Sequence, residues 1–225
     1  MPFTLHWADQ KKTPWNLGKI VCIGRNYADH AKELNNPIPT EPLLFIKPST
    51  AAVDITQPFA LPQGKGECHH EAEIALLVGD TISKVSPEDA MQYIAGVGLA
   101  LDLTLRDLQS KLKEKGHPWE VSKAFDASAP LSGFLPIESS LPASLTISLR
   151  VNGQLRQQGN SGMMLTSFPE LVSYISQIFT LEAGDVILTG TPAGVAALHE
   201  DDQFELSLHD HTEQLLLSVT GLVKP

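Results

Sequence analysis

Short apolar, β-branched runs recur along this 225-residue chain without a helix reliably between them. That irregularity restricts the fold more than any other feature. Residues 19–23 (KIVCI), 43–47 (LLFIK), 69–78, 96–103 and 185–188 (DVIL) each read as a buried strand. Residues 145–151 alternate apolar and polar, Asn152 and Gly153 form a hairpin turn, and 154–158 run back. With 203–208 and 215–222 this makes eight to ten strands. Helices are fewer. Residues 26–34 (NYADHAKEL) form a short polar helix stopped by Asn35, Asn36 and Pro37, and the prolines at 37, 39 and 42 make the following stretch loop. Ser86, Pro87, Glu88 and Asp89 open a second helix, with an N-cap and acids on the positive dipole end. Residues 104–115 carry Leu105, Leu108 and Leu112 on one face and close at Gly116. Ser167, Phe168, Pro169 and Glu170 are a capping box leading a helix over 171–179. Strand and helix do not alternate, so neither a doubly wound sheet nor an eight-fold β/α barrel is expected. The expectation is an α+β, β-rich fold, a mixed-sheet roll or sandwich with a few peripheral helices. Residues 1–18 read as a short, loose leader and 19–225 as a single domain, because no linker, repeat or composition break divides them.

Hydrophobic residues make up 42% and charged residues 19%, which is globular rather than disordered composition. Sixteen Lys and Arg against 26 Asp and Glu leave a net charge of −10. That field repels phosphate backbones and anionic lipid, so neither nucleic acid nor a membrane surface is an expected partner. It also opposes a small anionic substrate unless cations gather at the site. Cys22 and Cys68 make no disulfide framework. No secretory signal is visible, and no apolar run approaches the ~20 residues that span a bilayer. The expectation is a cytoplasmic protein.

The most specific local feature is His69, His70, Glu71, Ala72, Glu73 and the apolar run after them. On a strand, residues two apart share a face, so Glu71 and Glu73 point the same way. Two such carboxylates are unfavourable unless a cation bridges them or both are solvated. An exposed acidic strand end and a cation site are equally good readings of this segment alone. Asp102 tips the balance, because it interrupts an apolar strand where an unpaired carboxylate is costly. Three carboxylates make an oxygen-only site suited to Mg²⁺ or Mn²⁺. His69 and His70 match no zinc spacing and read as core or supporting residues. His30 and Glu33, at i and i+3 of the first helix, are either a solvated polar face or a general-base pair in a lid position. Arg25, Lys47, Arg106 and Lys123 are cations at element ends, each a surface charge by itself. Near a metal, one lysine and one arginine could bind a carboxylate and stabilise an enolate. Residues 189–194 (TGTPAG) make a tight turn whose N–H groups could face an anion. The turn His209, Asp210, His211 reads as surface. No phosphate loop, dinucleotide fingerprint or serine elbow is present.

Together the motifs GRNYADHAKE, LFIKPST, HHEAEIALLVG, LALDLTLRDLQ, PWEVSKAFD, VNGQLRQ and LTGTPAGV resemble the fumarylacetoacetate hydrolase superfamily, in its small single-domain branch of acylpyruvase and oxaloacetate decarboxylase type. The resemblance runs from about residue 19 to the C-terminus. It implies a mixed β-sandwich roll and a homodimer. It makes Glu71, Glu73 and Asp102 the ligands of Mg²⁺ or Mn²⁺, His30 and Glu33 a water-activating pair on a lid, and Lys123 the lysine beside the metal. Gln109 and Thr191 match groups that orient the pyruvoyl end of a substrate, and Arg25 and Arg106 match motif arginines. One departure stands out: the family's turn continues as GVG, whereas here Val195 precedes Ala196. The implied activity is hydrolysis of 3-acylpyruvates such as fumarylpyruvate or acetylpyruvate. The alternatives are decarboxylation or enol–keto tautomerisation of oxaloacetate, and isomerisation or hydration of 2-oxo-dienoates. A non-catalytic Ca²⁺-binding module is the rival of a different class.

Overall fold

The computed structural model describes residues 3–33 and 37–224. In chain order the first elements are β1 (Ile20–Gly24), α1 (Ala28–Glu33), β2 (Leu43–Lys47), β3 (Ala52–Asp54), β4 (Phe59–Ala60), β5 (Cys68–His70) and β6 (Ala72–Val78). Next come α2 (Pro87–Ala90), β7 (Ile94–Leu101), β8 (Thr104–Leu105), α3 (Arg106–Glu114), α4 (Glu120–Lys123), β9 (Ala129–Leu131) and β10 (Leu135–Pro136). The chain continues through β11 (Leu145–Val151), β12 (Gln154–Asn160), α5 (Phe168–Ile178), β13 (Val186–Leu188), β14 (Ala196–Ala197), β15 (Gln203–Asp210) and β16 (Leu215–Lys224).

The strands form three sheets. The largest is mixed, in the order β2-β1-β13-β6-β7-β9-β3, with β10 beside β7. The second has the order β12-β11-β15-β16-β4, and the third is β14-β5-β8. In the large sheet β1 runs parallel to β13, Ile20 opposite Val186 and Cys22 opposite Leu188, whereas β13 and β6 are antiparallel. Alternation sorts the side chains: Val21, Ile23, Ile74 and Leu76 face one core, shared with Ile147, Leu149, Leu206 and Leu208 of the second sheet. Ile20, Cys22, Ala75 and Leu77 face the other, closed by Leu5 and Phe134. A sheet covered on both faces explains why its strands read as unbroken apolar runs. The result is the α+β, β-rich roll expected.

Several expectations need correction. Residues 69–78 are two strands, because β5 leaves the large sheet to pair with β8, Cys68 opposite Leu105 and His69 opposite Thr104. One flat strand cannot serve two sheets, and the bend falls at Glu71. The 96–103 strand begins two residues earlier and ends at Leu101, so Asp102 lies just past it rather than interrupting it. For the same pairing reason the helix expected from 104 starts at Arg106. The last helix starts at Phe168, since Ser167 caps it and Pro169 lies in a first turn that needs no N–H. His209 and Asp210 end β15 instead of turning. The leader is packed, not loose: Leu5 is buried, Trp7 bridges Phe134, and Trp15 and Leu17 cover the sheet. The helix stop expected at Leu34, Asn35 and Asn36 lies outside the described residues. No helix among the described residues is long and apolar enough to cross a membrane.

Candidate active site

Two bends bring the acids together. The antiparallel β6–β7 pair of the large sheet continues into the β5–β8 pair of the small one. The residues at the two bends are Glu71 and Asp102, and the Asp102 N–H donates to the Glu71 carbonyl at 2.8 Å. Glu73 follows on β6, opposite Ala100. Ligand oxygens of Glu71, Glu73 and Asp102 lie within 4.8 Å of one another, and all three residues are buried.

Cations surround them unevenly. Lys123 on α4 donates to Glu71 Oε2 (2.8 Å) and Asp102 Oδ2 (2.6 Å). Arg106, at the start of α3, donates to Glu71 Oε1. Burial alone would raise the Glu71 carboxyl, but Lys123 and Arg106 outweigh it and hold that group well below the usual carboxylate range. Burial opposes the Lys123 charge in turn, and Asp102 and Glu71 overcome it, so its ammonium is raised. Lys47, fully buried at the end of β2, sits 2.8 Å from Asp102 Oδ1. Its N–H groups are spent on the carbonyls of Leu103, Ser128 and Lys123. Asp102 Oδ1 is therefore buried beside a positive charge without a hydrogen bond of its own. Glu73 has no ion pair among the described residues. The Gly190 N–H donates to its Oε2 at 2.7 Å, yet burial, then Asp102 and Glu71, push its carboxyl well above the ordinary range. An oxygen-only cluster with one acid lacking a cation and another carrying an unbonded oxygen fits a hard divalent ion.

The turn after β13 completes the floor. Thr189 N–H and Oγ1 both bond the Ile74 carbonyl, and Thr191 Oγ1 donates to the Ala72 carbonyl at 2.9 Å. Gly190 has φ +97°, and a Cβ there would stand 2.6 Å from Asn26 Cβ, so glycine is what lets this N–H reach Glu73. From β12, Gln157 Oε1 accepts from Ala72 N–H (3.0 Å) and faces His70 Nδ1 (2.9 Å). Its Nε2 donates to Thr191 Oγ1 and the Pro192 carbonyl, both at 2.8 Å. His70 is thus a supporting residue, as read from the sequence, and burial lowers its basicity. His69 contacts Glu67 and Arg106 instead. Ala196, at the family's glycine position, opens β14 and pairs with His70.

His30 is 4% exposed, with Nδ1 3.3 Å from Glu33 Oε2, and Glu33 Oε1 accepts from Gly194 N–H at 3.0 Å. The helix α1 is thereby docked on the 189–194 turn. One pocket is bordered by Arg25, His30, Glu71, Glu73, Arg106, Gln109, Lys123 and Thr191. Asp102 joins it through Lys123, and Glu33 through His30, so the ten residues that the family resemblance places in the site converge. Four others belong here as well. Lys47 stood out in the sequence only as a strand-end cation, while Gln157, Lys113 and Trp119 carried no signal beyond lying in or near the motifs. A larger groove of about 500 Å³, lined by Met91, Leu141, Phe168 and Pro169 among others, contains no acid, base or cation.

The fumarylacetoacetate (FAA) hydrolase C-terminal family matches residues 19–221. The chain belongs to the fumarylacetoacetate hydrolase family. It is 49% identical over 198 residues to oxaloacetate tautomerase YcgM of Escherichia coli (strain K12), covering 87% of this chain and 90% of that one. To the mitochondrial oxaloacetate tautomerase FAHD1 of Bos taurus it is 47% identical over 197 residues, 87% and 89% of the two chains. Among solved structures, the fumarylpyruvate hydrolase of Pseudomonas aeruginosa in complex with Mn²⁺ and pyruvate superposes with a TM-score of 0.89 at 34% identity, over 99% of this chain and 97% of that one. That hydrolase is thus a solved relative, at 34% identity, whose structure holds Mn²⁺.

Proposed function

We propose that this chain is a divalent-metal-dependent enzyme that interconverts the enol and keto forms of oxaloacetate, with decarboxylation of oxaloacetate as a lesser outcome. One observation carries the reading. His30, a proton carrier, shares a pocket with three clustered carboxylates and the Lys123 ammonium, in a chain 49% identical to an oxaloacetate tautomerase. Acylpyruvate hydrolysis, which the sequence motifs put first, becomes the second reading. The likeness to a fumarylpyruvate hydrolase and the His30–Glu33 contact support it.

Glu71, Glu73 and Asp102 would hold Mg²⁺ or Mn²⁺. Such an ion, when bound, supplies Lewis-acid chelation of a 2-oxo acid and eases negative charge on its 2-oxo oxygen. Tautomerisation removes a proton from the enol hydroxyl and returns one at C3, so a carried proton suffices and no water is consumed. His30 carries it, held by Glu33, which the Gly194 N–H holds in turn. Lys123 offers its charge to the enolate oxygen. Gln109, Thr191, Arg106 and Arg25 orient the substrate's anionic groups. A homodimer belongs to the same proposal.

Enol-oxaloacetate, acetylpyruvate and fumarylpyruvate, assayed with and without Mg²⁺, test this. The expected result is metal-dependent decay of the enol absorbance roughly 10²-fold or more above the uncatalysed rate. Cleavage of an acylpyruvate with no acceleration of the enol–keto step overturns the first reading in favour of the second.

A further inference from the structure

The pocket holds a cation that its acids do not account for. Arg106 and Lys123 are tied to Glu71 and Asp102. Lys113 is not: its one close partner among the described residues is the ring of Trp119, 4.9 Å from ammonium to centroid. Arg106, Gln109 and Lys113 fall at i, i+3 and i+7 of α3, on one face, and all three border the pocket together with Trp119. At 1.5 Å per residue, the Lys113 Cα stands about 10 Å along the axis beyond that of Arg106. Long helical side chains lean back toward the helix N-terminus, which carries the ammonium toward the pocket. Partial burial first, then Arg25 and Arg106, push this ammonium down to about 8. A desolvated cation beside like charges is unfavourable until an anion meets it. Trp119 fixes where the charge sits without neutralising it, as a carboxylate partner would.

We infer that Lys113, steadied by Trp119, is the specificity-determining residue that grips the second carboxylate of a 2-oxo dicarboxylate whose keto-acid end lies at Glu71, Glu73 and Asp102. The inference rests on the function proposed above for the direction in which the substrate lies. It also answers the charge problem, because a chain of net charge −10 repels a dianion everywhere except where cations are massed.

The test compares oxaloacetate with pyruvate, which keeps the keto-acid end and lacks the second carboxylate, on the Mg²⁺-loaded protein. Tryptophan fluorescence reads binding of both, and the enol–keto assay gives a KM for oxaloacetate and a competitive constant for pyruvate. Lys113→Met should weaken oxaloacetate by roughly 10-fold or more and pyruvate by less than about 2-fold, and Lys113→Arg should restore the preference. In the parent protein the preference for oxaloacetate should fade above pH about 8, where the ammonium loses its proton, and persist in Lys113→Arg. Equal weakening of both ligands, or of neither, overturns the assignment. Preferential binding without enol–keto turnover would sink the proposed function and leave Lys113 standing, while turnover with an unchanged preference would do the reverse.

Discussion

The Lys47–Asp102 pair shows what a single residue contributes here. Lys47 is sealed from water, its donors spent on three carbonyls and its charge set against Asp102. Lys47→Met leaves Asp102 Oδ1 buried without its cation, with Lys123 still on Oδ2, at a cost of about 3–5 kcal/mol. Denaturant unfolding of the metal-free protein measures this, and a loss below about 1 kcal/mol contradicts the role. His30→Ala should act on chemistry alone, lowering the enol–keto rate by about 10²–10⁴-fold. Mn²⁺ affinity, read by calorimetry, should hold, and decarboxylation should fall less because loss of CO₂ precedes any proton transfer. Equal collapse of both activities contradicts that division. Glu71, Glu73, Asp102, His30 and Glu33 were legible from spacing and context, while Gln109 and the roles of Thr191, Arg25, Arg106 and Lys123 came from the family resemblance of the motifs they stand in. Lys47 and Gln157 were not legible, since a lysine before Pro48 reads as a strand end at the surface and a glutamine in a hairpin reads as solvent-facing. Their partners lie 55 and 34 or more residues away, where no local pattern reports them.

At the scale of elements, the turn after β13 and the bends at Glu71 and Asp102 do the positioning. Gly190→Ala forces a Cβ onto Asn26 at a φ of +97°, which costs about 1–3 kcal/mol and withdraws the N–H from Glu73. Weaker Mn²⁺ binding should accompany the lower unfolding midpoint. An alanine variant with wild-type stability and metal affinity would refute this account of the glycine. The strands that carry apolar runs and the capping box of α5 were readable because their signals are local. The two- and three-residue strands β3, β4, β9, β10 and β14 were not, and neither was the four-residue α4 that delivers Lys123. Segments that short hold no period for a pattern to reveal; tertiary pairing alone makes them. The division of 69–78 into two strands was hidden for the same reason, since the cause of the bend is the partner β8.

For the whole molecule, metal and protons are linked to folding. A saturating ion that binds only the folded chain adds about 2.7 kcal/mol at 100-fold over its Kd. For a domain of this size that raises Tm by roughly 5–10 °C, which differential scanning with Mn²⁺ and then with chelator can check. An unmoved Tm means the triad holds no ion. Acid works in the opposite direction. Glu71 lies below its ordinary value of 4.5 and His70 below 6.5. The unfolded chain therefore takes up protons at both groups as the pH falls, first at His70 below about 6.5 and then at Glu71 below about 4.5. Glu73, held above its ordinary value in the metal-free chain, does the reverse, but a bound cation that keeps it ionised removes that gain. The metal-loaded protein should therefore lose Tm from pH 7 toward pH 4, and a flat profile contradicts the assignment. The β-rich class and the mixed sheets were readable from the irregular order of elements, whereas the three-sheet arrangement was not, because strand order is set by partners far apart in the chain. The parallel lane of β13 beside β1 has a consequence for biosynthesis. Until the ribosome has released residues 186–188, the first strand has no inner neighbour and the turn that cradles Glu73 does not exist. Nascent chains arrested earlier should be both inert and dependent on chaperones, so that catalytic competence arrives late and all at once during synthesis.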